Sequence, residues 1–362
     1  MSLGRDGMLV ATGGETIATR HGDFVVHAFH NCTTGQPALA VTHGDLHAHG
    51  PLLARVHSSC ITSEVYGACD CDCAEQLDAA LAHIAARGRG ALFYLMQEGR
   101  GAGFIAKALD RMLVQASRNR LSTFDAYAKL GLPDDQRSYG EVAAMVRLLG
   151  IAAPLRLLSN NPDKVAALRA AGALVDGTEP IRIDASAYSQ HYLHAKSRAG
   201  HTLARTDGID PATLPEPVTV ASPEALPATP RFVHVASYLL PVRAGAAAWF
   251  RLHAYVDTAT RRERVVLIHG SGGDDVLVRV QRETLLDRFP LCEPRFRRRW
   301  DAVVERIAAH GRAVVVFADA DEDVRELAGA LVRAHLDRRR AMPLFWPDEA
   351  DDERALCAGI AP

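Results

Sequence analysis

One stretch of this chain is written twice. Asp78-Ala79-Ala80-Leu81-Ala82-His83-Ile84-Ala85-Ala86-Arg87-Gly88-Arg89 aligns with Asp301-Ala302-Val303-Val304-Glu305-Arg306-Ile307-Ala308-Ala309-His310-Gly311-Arg312, with seven of twelve positions identical. In nearly the same frame His43-Gly44 matches His269-Gly270 and Arg55-Val56 matches Arg279-Val280. Segments that share a helical pattern and the strands before it share a fold, so the 362 residues reduce to one architecture and a second, partial copy of it. Prolines 211, 215, 217, 223, 227 and 230 fall in a stretch without periodicity, the composition of a linker. The expected division is 1–205 for a first domain, 206–230 for the linker and 231–362 for the degenerate repeat, sizes consistent with two cores at 48% hydrophobic content.

Within the first domain the pattern alternates strand and helix. Gly22 to His30 and Pro37 to Thr42 read as paired strands turning at Thr33-Thr34-Gly35, and Leu52 to His57 as another. From Ala74 to Arg87 the apolar residues Leu77, Ala80, Leu81 and Ile84 recur at helical spacing, and Gly88 is the stop. The buried strand Ala91–Met96 runs into Gln97-Glu98-Gly99-Arg100-Gly101-Ala102-Gly103. Helix Gly140–Leu149 precedes strand Leu155–Leu158, which runs into Ser159-Asn160-Asn161-Pro162 and a helix carrying Lys164. Strands that end in such corners before a helix are where open α/β sheets place ligands. The fold class is α/β with a mixed central sheet and flanking helices.

The chemistry concentrates in Arg55-Val56-His57-Ser58-Ser59-Cys60 and, ten residues later, Cys71-Asp72-Cys73. Thiolates suit a soft divalent ion, and three protein ligands leave one tetrahedral position open for catalysis. On an extended segment Cys69, Cys71 and Cys73 would share a face, which makes Cys69 a candidate fourth ligand that would close the site into a structural one. A disulfide framework is disfavoured: the seven cysteines form no even set and no signal peptide opens the chain. A net charge of −2 argues against wholesale binding to nucleic acid or anionic membrane, and no apolar run approaches the ~20 residues of a bilayer span. A soluble, cytoplasmic protein is expected. Lysine occurs only at 107, 129, 164 and 196, so a lysine in a motif carries more weight here than usual. Lys107 alone reads as a surface residue of its helix.

Taken in order, Arg55–Cys60, Cys71-Asp72-Cys73 with Gln76, Gln97–Arg100, Asp135-Gln136-Arg137, Ser159–Lys164 and His191-Tyr192-Leu193 with Lys196 closely resemble the GTP cyclohydrolase II family of riboflavin biosynthesis. The resemblance spans residues 15 to 205. It implies a GTP cyclohydrolase II-like sandwich in which Cys60, Cys71 and Cys73 hold zinc, and the metal activates water for attack on the imidazole ring of guanine. It further implies that Arg55, Val56, His57, Ser58, Ser59, Gln76, Glu98, Gly99, Arg100, Thr123, Ser159 and Lys164 surround the nucleotide. In that scheme Gln76 and Glu98 suit the guanine edge and the arginines the phosphates. Asp135 falls at the family's base. Arg137 falls at its nucleophile toward the α-phosphorus, a role for which charge stabilisation is the chemical alternative. Magnesium is expected on the triphosphate, and the usual homodimer has a counterpart here in a pseudo-dimer through the second repeat.

Three positions depart from the family. Ser59 stands for an acidic residue and Asp70 for a basic one, beside the first and second cysteines. Arg111, with Met112 beside it, stands where an active-site tyrosine is usual, and extra residues follow near Ser117–Leu121. Such a chain would open the ring and retain the formyl group, act on a different purine or pyrimidine nucleotide, or, with a structural zinc closed by Cys69, bind a nucleotide without catalysis. In the second copy Thr284, Arg295, Arg297 and Asp321-Glu322-Asp323 replace the chemical groups, so it is expected to be non-catalytic.

Overall fold

The structure, a computed structural model, describes residues 5–184, 186, 188–198, 231–244, 246–270, 275–283, 294–319, 331 and 341–343. The expected linker at 206–230 and the positions Thr284 and Asp321–Asp323 lie outside them. The first sheet has eight strands: β1 (Arg5–Asp6), β2 (Leu9–Thr19), β3 (Gly22–Asn31), β4 (Pro37–His43), β5 (Leu52–Ser58), β6 (Gly90–Leu95), β7 (Leu155–Leu158) and β8 (Val175–Glu179), in the order β1-β2-β3-β4-β6-β5-β7-β8. The β1-to-β4 meander and the β4–β6 pair are antiparallel, whereas β6-β5-β7-β8 is parallel. β6 is buried at every position, as a central strand covered on both faces must be.

The described helices of this half are α1 (Ile61–Glu64), α2 (Cys73–Arg87), α3 (Phe104–Ala116), α4 (Thr123–Lys129), α5 (Gly140–Leu148), α6 (Pro162–Ala170) and α7 (Gln190–Arg198). α2 places Leu77, Ala80, Leu81 and Ile84 against Phe24, Leu39, Val41, Leu92 and Tyr94 on one face of the sheet. On the opposite face Val142 and Met145 of α5 meet Ala38, Ala54, Phe93 and Leu157. β2 escapes the alternation reading because Gly13 and Gly14 interrupt it, and the strand shifts register between Ala11 and Gly13.

The second half repeats the design strand by strand. β9 (Phe232–Ala244), β10 (Ala246–Asp257), β11 (Glu263–His269), β12 (Val276–Glu283), β13 (Ala313–Asp319) and β14 (Ala341–Pro343) run in the order β14-β12-β13-β11-β10-β9, and α8 (Pro294–His310) takes the place of α2. Reversed, that order is the β2-β3-β4-β6-β5-β7 of the first sheet. Register agrees as well: His43 faces Gly90 as His269 faces Ala313, and Arg55 faces Leu92 as Arg279 faces Val315.

The shared His-Gly pair explains one local constraint. Gly44 (φ 68°) and Gly270 (φ 73°) lie against the carbonyls of Gly88 and Gly311, where an added Cβ would come within 2.1 and 2.0 Å. Only glycine fits both the conformation and the contact. The preceding histidines bond alike, His43 Nδ1 to Asp23 O at 2.8 Å and His269 Nδ1 to Trp249 O at 2.7 Å.

Candidate functional site

Cys60 ends the turn after β5, and its carbonyl accepts the Ser63 and Glu64 N–H groups that start α1. Beneath that turn His57 Nε2 lies 2.7 Å from Glu64 Oε1 and the Tyr94 hydroxyl donates to Glu64 Oε2 at 2.5 Å, a buried cluster that fixes the chain on which Cys60 stands. The chain bends at residues 70–72 and Cys73 opens α2, where the helix N-terminus favours a thiolate. The Cys60, Cys71 and Cys73 sulfurs come within 4.8 Å of one another, and among the described residues they form the one group of three or more metal-ligating side chains. Hydrogen bonds from Cys71 and Cys73, and the Lys107 ammonium 3.1 Å away, hold the Cys60 thiol well below its ordinary range. Hydrogen bonding to Cys60, then burial, pushes Cys71 and Cys73 upward. Such a buried, convergent donor set fits a soft divalent cation.

Cys69 is not part of it. The expected extended run does not form, and the bend turns the Cys69 thiol to donate to the Pro241 carbonyl at 3.4 Å. Burial pushes that thiol up to about 11.

A cleft with about 610 Å³ of empty space opens over the cluster. Of the residues expected from sequence, Ser58, Ser59, Cys60, Cys71, Cys73, Glu98, Gly99, Arg100, Thr123 and Arg137 line it. The Gly99–Gly101 turn is built from positive φ angles, Arg100 included at 55°. Gly101 lies so close to the Gln136 backbone that a Cβ would sit 2.8 Å from its carbonyl carbon, and Gln136 N–H donates to Arg100 O at 2.9 Å. This close approach brings the Asp135–Arg137 segment to the cleft. Glu98 accepts from Ile61 N at 2.7 Å and from Lys107 Nζ at 2.8 Å. Burial outweighs the lysine and pushes the Glu98 carboxyl up to about 7.

A second layer stands behind the cleft. Arg55 is buried, donating to Leu158 O at 2.7 Å and to Gln76 Oε1 at 2.5 Å, while Gln76 donates to Asp72, which also pairs with Lys196 at 2.9 Å. Gln76 thus has its amide spent on holding Arg55. Lys164 donates to the Val56 carbonyl at 2.9 Å, and Ser159 closes a local turn with Asn161. Arg137 is paired with Asp135, with Nε at 2.9 Å from Oδ1. Although burial opposes its charge, the bonds to Asp135 keep Arg137 above the ordinary arginine range. Burial, then the nearby Arg55 and Arg137, push the Lys164 ammonium well down.

The departures resolve into a pattern. Arg111 donates to the Asp70 carboxylate and, at 3.3 Å, to its carbonyl, so two of the positions expected to depart from the family form one ion pair at the cleft wall. Its guanidinium lies 5.7 Å from the Tyr192 ring. The extra residues after α3 include Arg118 and Asn119, both left-handed, ahead of a Ser122–Asp125 capping box. Thr123 donates to Asp110 at 2.9 Å.

Sequence reading missed Lys107, Asp110, Tyr127 and Tyr192 as cleft residues. A signal for the first existed: of four lysines, Lys107 bonds Cys60, Thr62 and Glu98, Lys164 and Lys196 stand in the second layer, and only Lys129 is elsewhere. Tyr127 is fixed by donating to Gly99 O at 2.8 Å.

The sequence model of GTP cyclohydrolase II matches residues 11–180 and 234–342, so both repeats fall within it. A GTP cyclohydrolase-2 of Azotobacter vinelandii is 39% identical over 196 residues, covering 54% of this chain and 92% of that protein. One of Escherichia fergusonii is 38% identical over 192 residues, 53% and 95% respectively. The riboflavin biosynthesis protein RibBA of Cytophaga hutchinsonii is 38% identical over 195 residues, covering 54% of this chain but 47% of that protein, so the chain spans about half the length of such relatives. No described helix is long and apolar enough to cross a membrane. With a matching family model across most of its length, this chain belongs to the GTP cyclohydrolase II family.

Proposed function

We propose that the chain is a zinc-dependent hydrolase that opens the imidazole ring of GTP and releases pyrophosphate, leaving a pyrimidine ribosylamino 5′-phosphate. The observation that carries this reading is the convergence of three thiols, two of them buried, in a cleft whose walls hold Glu98, Lys107 and Arg137. Cys60, Cys71 and Cys73 would hold zinc, which supplies Lewis acidity at neutral pH. Lys107 keeps Cys60 and Glu98 in place through bonds of 3.1 and 2.8 Å. Arg55, Arg137 and Lys164 would receive the phosphates. Arg137 stays a full guanidinium, which supports its stabilising charge on the α-phosphorus, with Asp135 orienting it. Magnesium would arrive on the triphosphate itself.

Arg111 in place of a phenol bears on the end point. With its guanidinium committed to Asp70, it offers no group to complete loss of the formyl carbon, and a formamidopyrimidine is the proposed product. The same ion pair is the observation favouring a second reading, hydrolysis of a different purine or pyrimidine nucleotide. Zinc-loaded protein incubated separately with GTP, ATP and pyrimidine triphosphates, with products identified by mass spectrometry and formate assayed, tests both. Opened GTP without formate supports the proposal, stoichiometric formate removes the end point, and exclusive turnover of another nucleotide favours the second reading.

A further inference from the structure

The three-thiol cluster lies wholly in the first repeat, yet the second repeat makes contacts on it that converge on one short segment, residues 66–69, between the first and second thiols. The Cys69 N–H donates to Pro241 O at 3.0 Å and the Arg243 N–H to Gly67 O at 3.0 Å, while Ala68 pairs antiparallel with Val242. The segment therefore extends the second sheet beyond its edge strand β9. From α8, Trp300 Nε1–H donates to Tyr66 O at 2.9 Å, and Phe317 of β13 lies 4.2 Å from the Tyr66 ring. Gln115 of α3 brackets Leu239 of β9, accepting its N–H at 2.7 Å and donating to its carbonyl at 2.6 Å. The helix that carries Lys107 and Arg111 is thereby pinned to the same strand. Beside Leu239, Tyr238 is 1% exposed and its hydroxyl has no hydrogen-bond partner among the described residues. Burial pushes that phenol up, opposed by Lys107 of the first repeat, which lines the cleft.

We infer that the second repeat is an internal partner that positions the metal-binding loop of the first. The inference rests on the reading of the thiols as a metal site. Closing a flexible loop around an ion costs conformational entropy, and fixing its middle beforehand removes part of that cost. A covalently joined partner supplies this fixing at every protein concentration. The role needs β9, α8 and β13, which the repeat keeps, and none of the groups it has lost.

The test uses the full chain and zinc alone, titrated against a chromogenic chelator. Trp300→Phe removes the donor to Tyr66 O and keeps an aromatic ring, whereas Val266→Ala trims the second repeat at a fully buried position outside the apolar cluster that contains Tyr66 and Ala68. Loss of one such hydrogen bond predicts zinc binding weakened on the order of 3- to 10-fold in Trp300→Phe. Val266→Ala, compared at matched loss of melting temperature, should bind zinc as the unmodified chain does. Equal weakening in both variants, or none in Trp300→Phe, overturns the inference. If the unmodified chain binds no zinc, the metal reading itself fails, which is a separate outcome.

Discussion

Removing Arg111 alone should be far more damaging than removing Arg111 and Asp70 together. The two side chains are 14% and 12% exposed, and Arg111 donates to both the carboxylate and the carbonyl of Asp70. Arg111→Leu leaves the Asp70 carboxylate buried beside Cys71 with its partner gone, and truncating one member of a buried pair costs about 3–5 kcal/mol. Adding Asp70→Asn removes the stranded charge, so the double variant should lose only about 1–2 kcal/mol; with Asp70→Asn alone closing the cycle, the coupling should be at least about 1 kcal/mol. Asp110, which burial pushes up and Arg111 holds back, is affected in both variants and cancels from the comparison. For a unit of this size about 1 kcal/mol shifts the melting temperature by roughly 2–4 °C. The single variant should therefore melt some ~6–20 °C lower, with much of that recovered in the double. Thermal melting of chelator-treated full chain measures this without a metal contribution. Additive losses would refute the view that two departures from the family are one reciprocal change.

Three further outcomes follow from the same geometry. Cys60→Ser should reduce zinc content from one per chain toward zero, whereas Cys69→Ser should keep it, because the Cys69 thiol bonds Pro241 instead; metal analysis after gel filtration decides, and zinc loss in Cys69→Ser would contradict the open site. Gly101→Ala should destabilise by about 1–3 kcal/mol and lower turnover, since φ is 87° and the Cβ would press on Gln136; unchanged stability and kcat would show that the approach of the two loops is not needed. Lys164, pushed down by burial and by Arg55 and Arg137, should be largely neutral in the free protein in the pH window above its depressed pKa and below the ordinary lysine value. A phosphate there restores its charge, so binding of a non-hydrolysable GTP analogue takes up a proton in that window. Calorimetry in buffers of differing ionisation enthalpy reads this, and a buffer-independent enthalpy would contradict it. The folding sign agrees: an unfolded lysine carries a proton that the folded site disfavours, so this residue's contribution to stability falls as pH drops below the ordinary lysine value.

How far the sequence could be read depended on whether a signal was local. The helix over Leu77 to Ile84 and its glycine stop emerged because periodicity and capping act within a few residues, and Gly88 is left-handed as a stop requires. The repeat predicted a second sheet whose strand order and register the structure reproduces. What sequence order could not supply was direction across space. Cys69 looked like a ligand by alternation, but a bend at residues 70–72 gave it to the second repeat. Lys107 looked like a surface residue because its partners, Cys60, Thr62 and Glu98, come from other segments. Asp70 and Arg111 read as separate oddities for the same reason, being 41 positions apart. Composition held one long-range clue, the scarcity of lysine, and three of its four sites proved to stand at or behind the cleft.

Hydrolysis of the guanine ring of GTP at the three-thiol cleft should release two products that can be followed together. The most direct measurement is a time course of GTP with zinc-loaded full chain, following nucleotide mass and pyrophosphate together, with Cys60→Ser alongside. A ring-opened pyrimidine nucleotide should appear one for one with pyrophosphate, and neither should appear with Cys60→Ser. Intact GTP after prolonged incubation with fully zinc-loaded chain, or equal ring opening by Cys60→Ser, would contradict it.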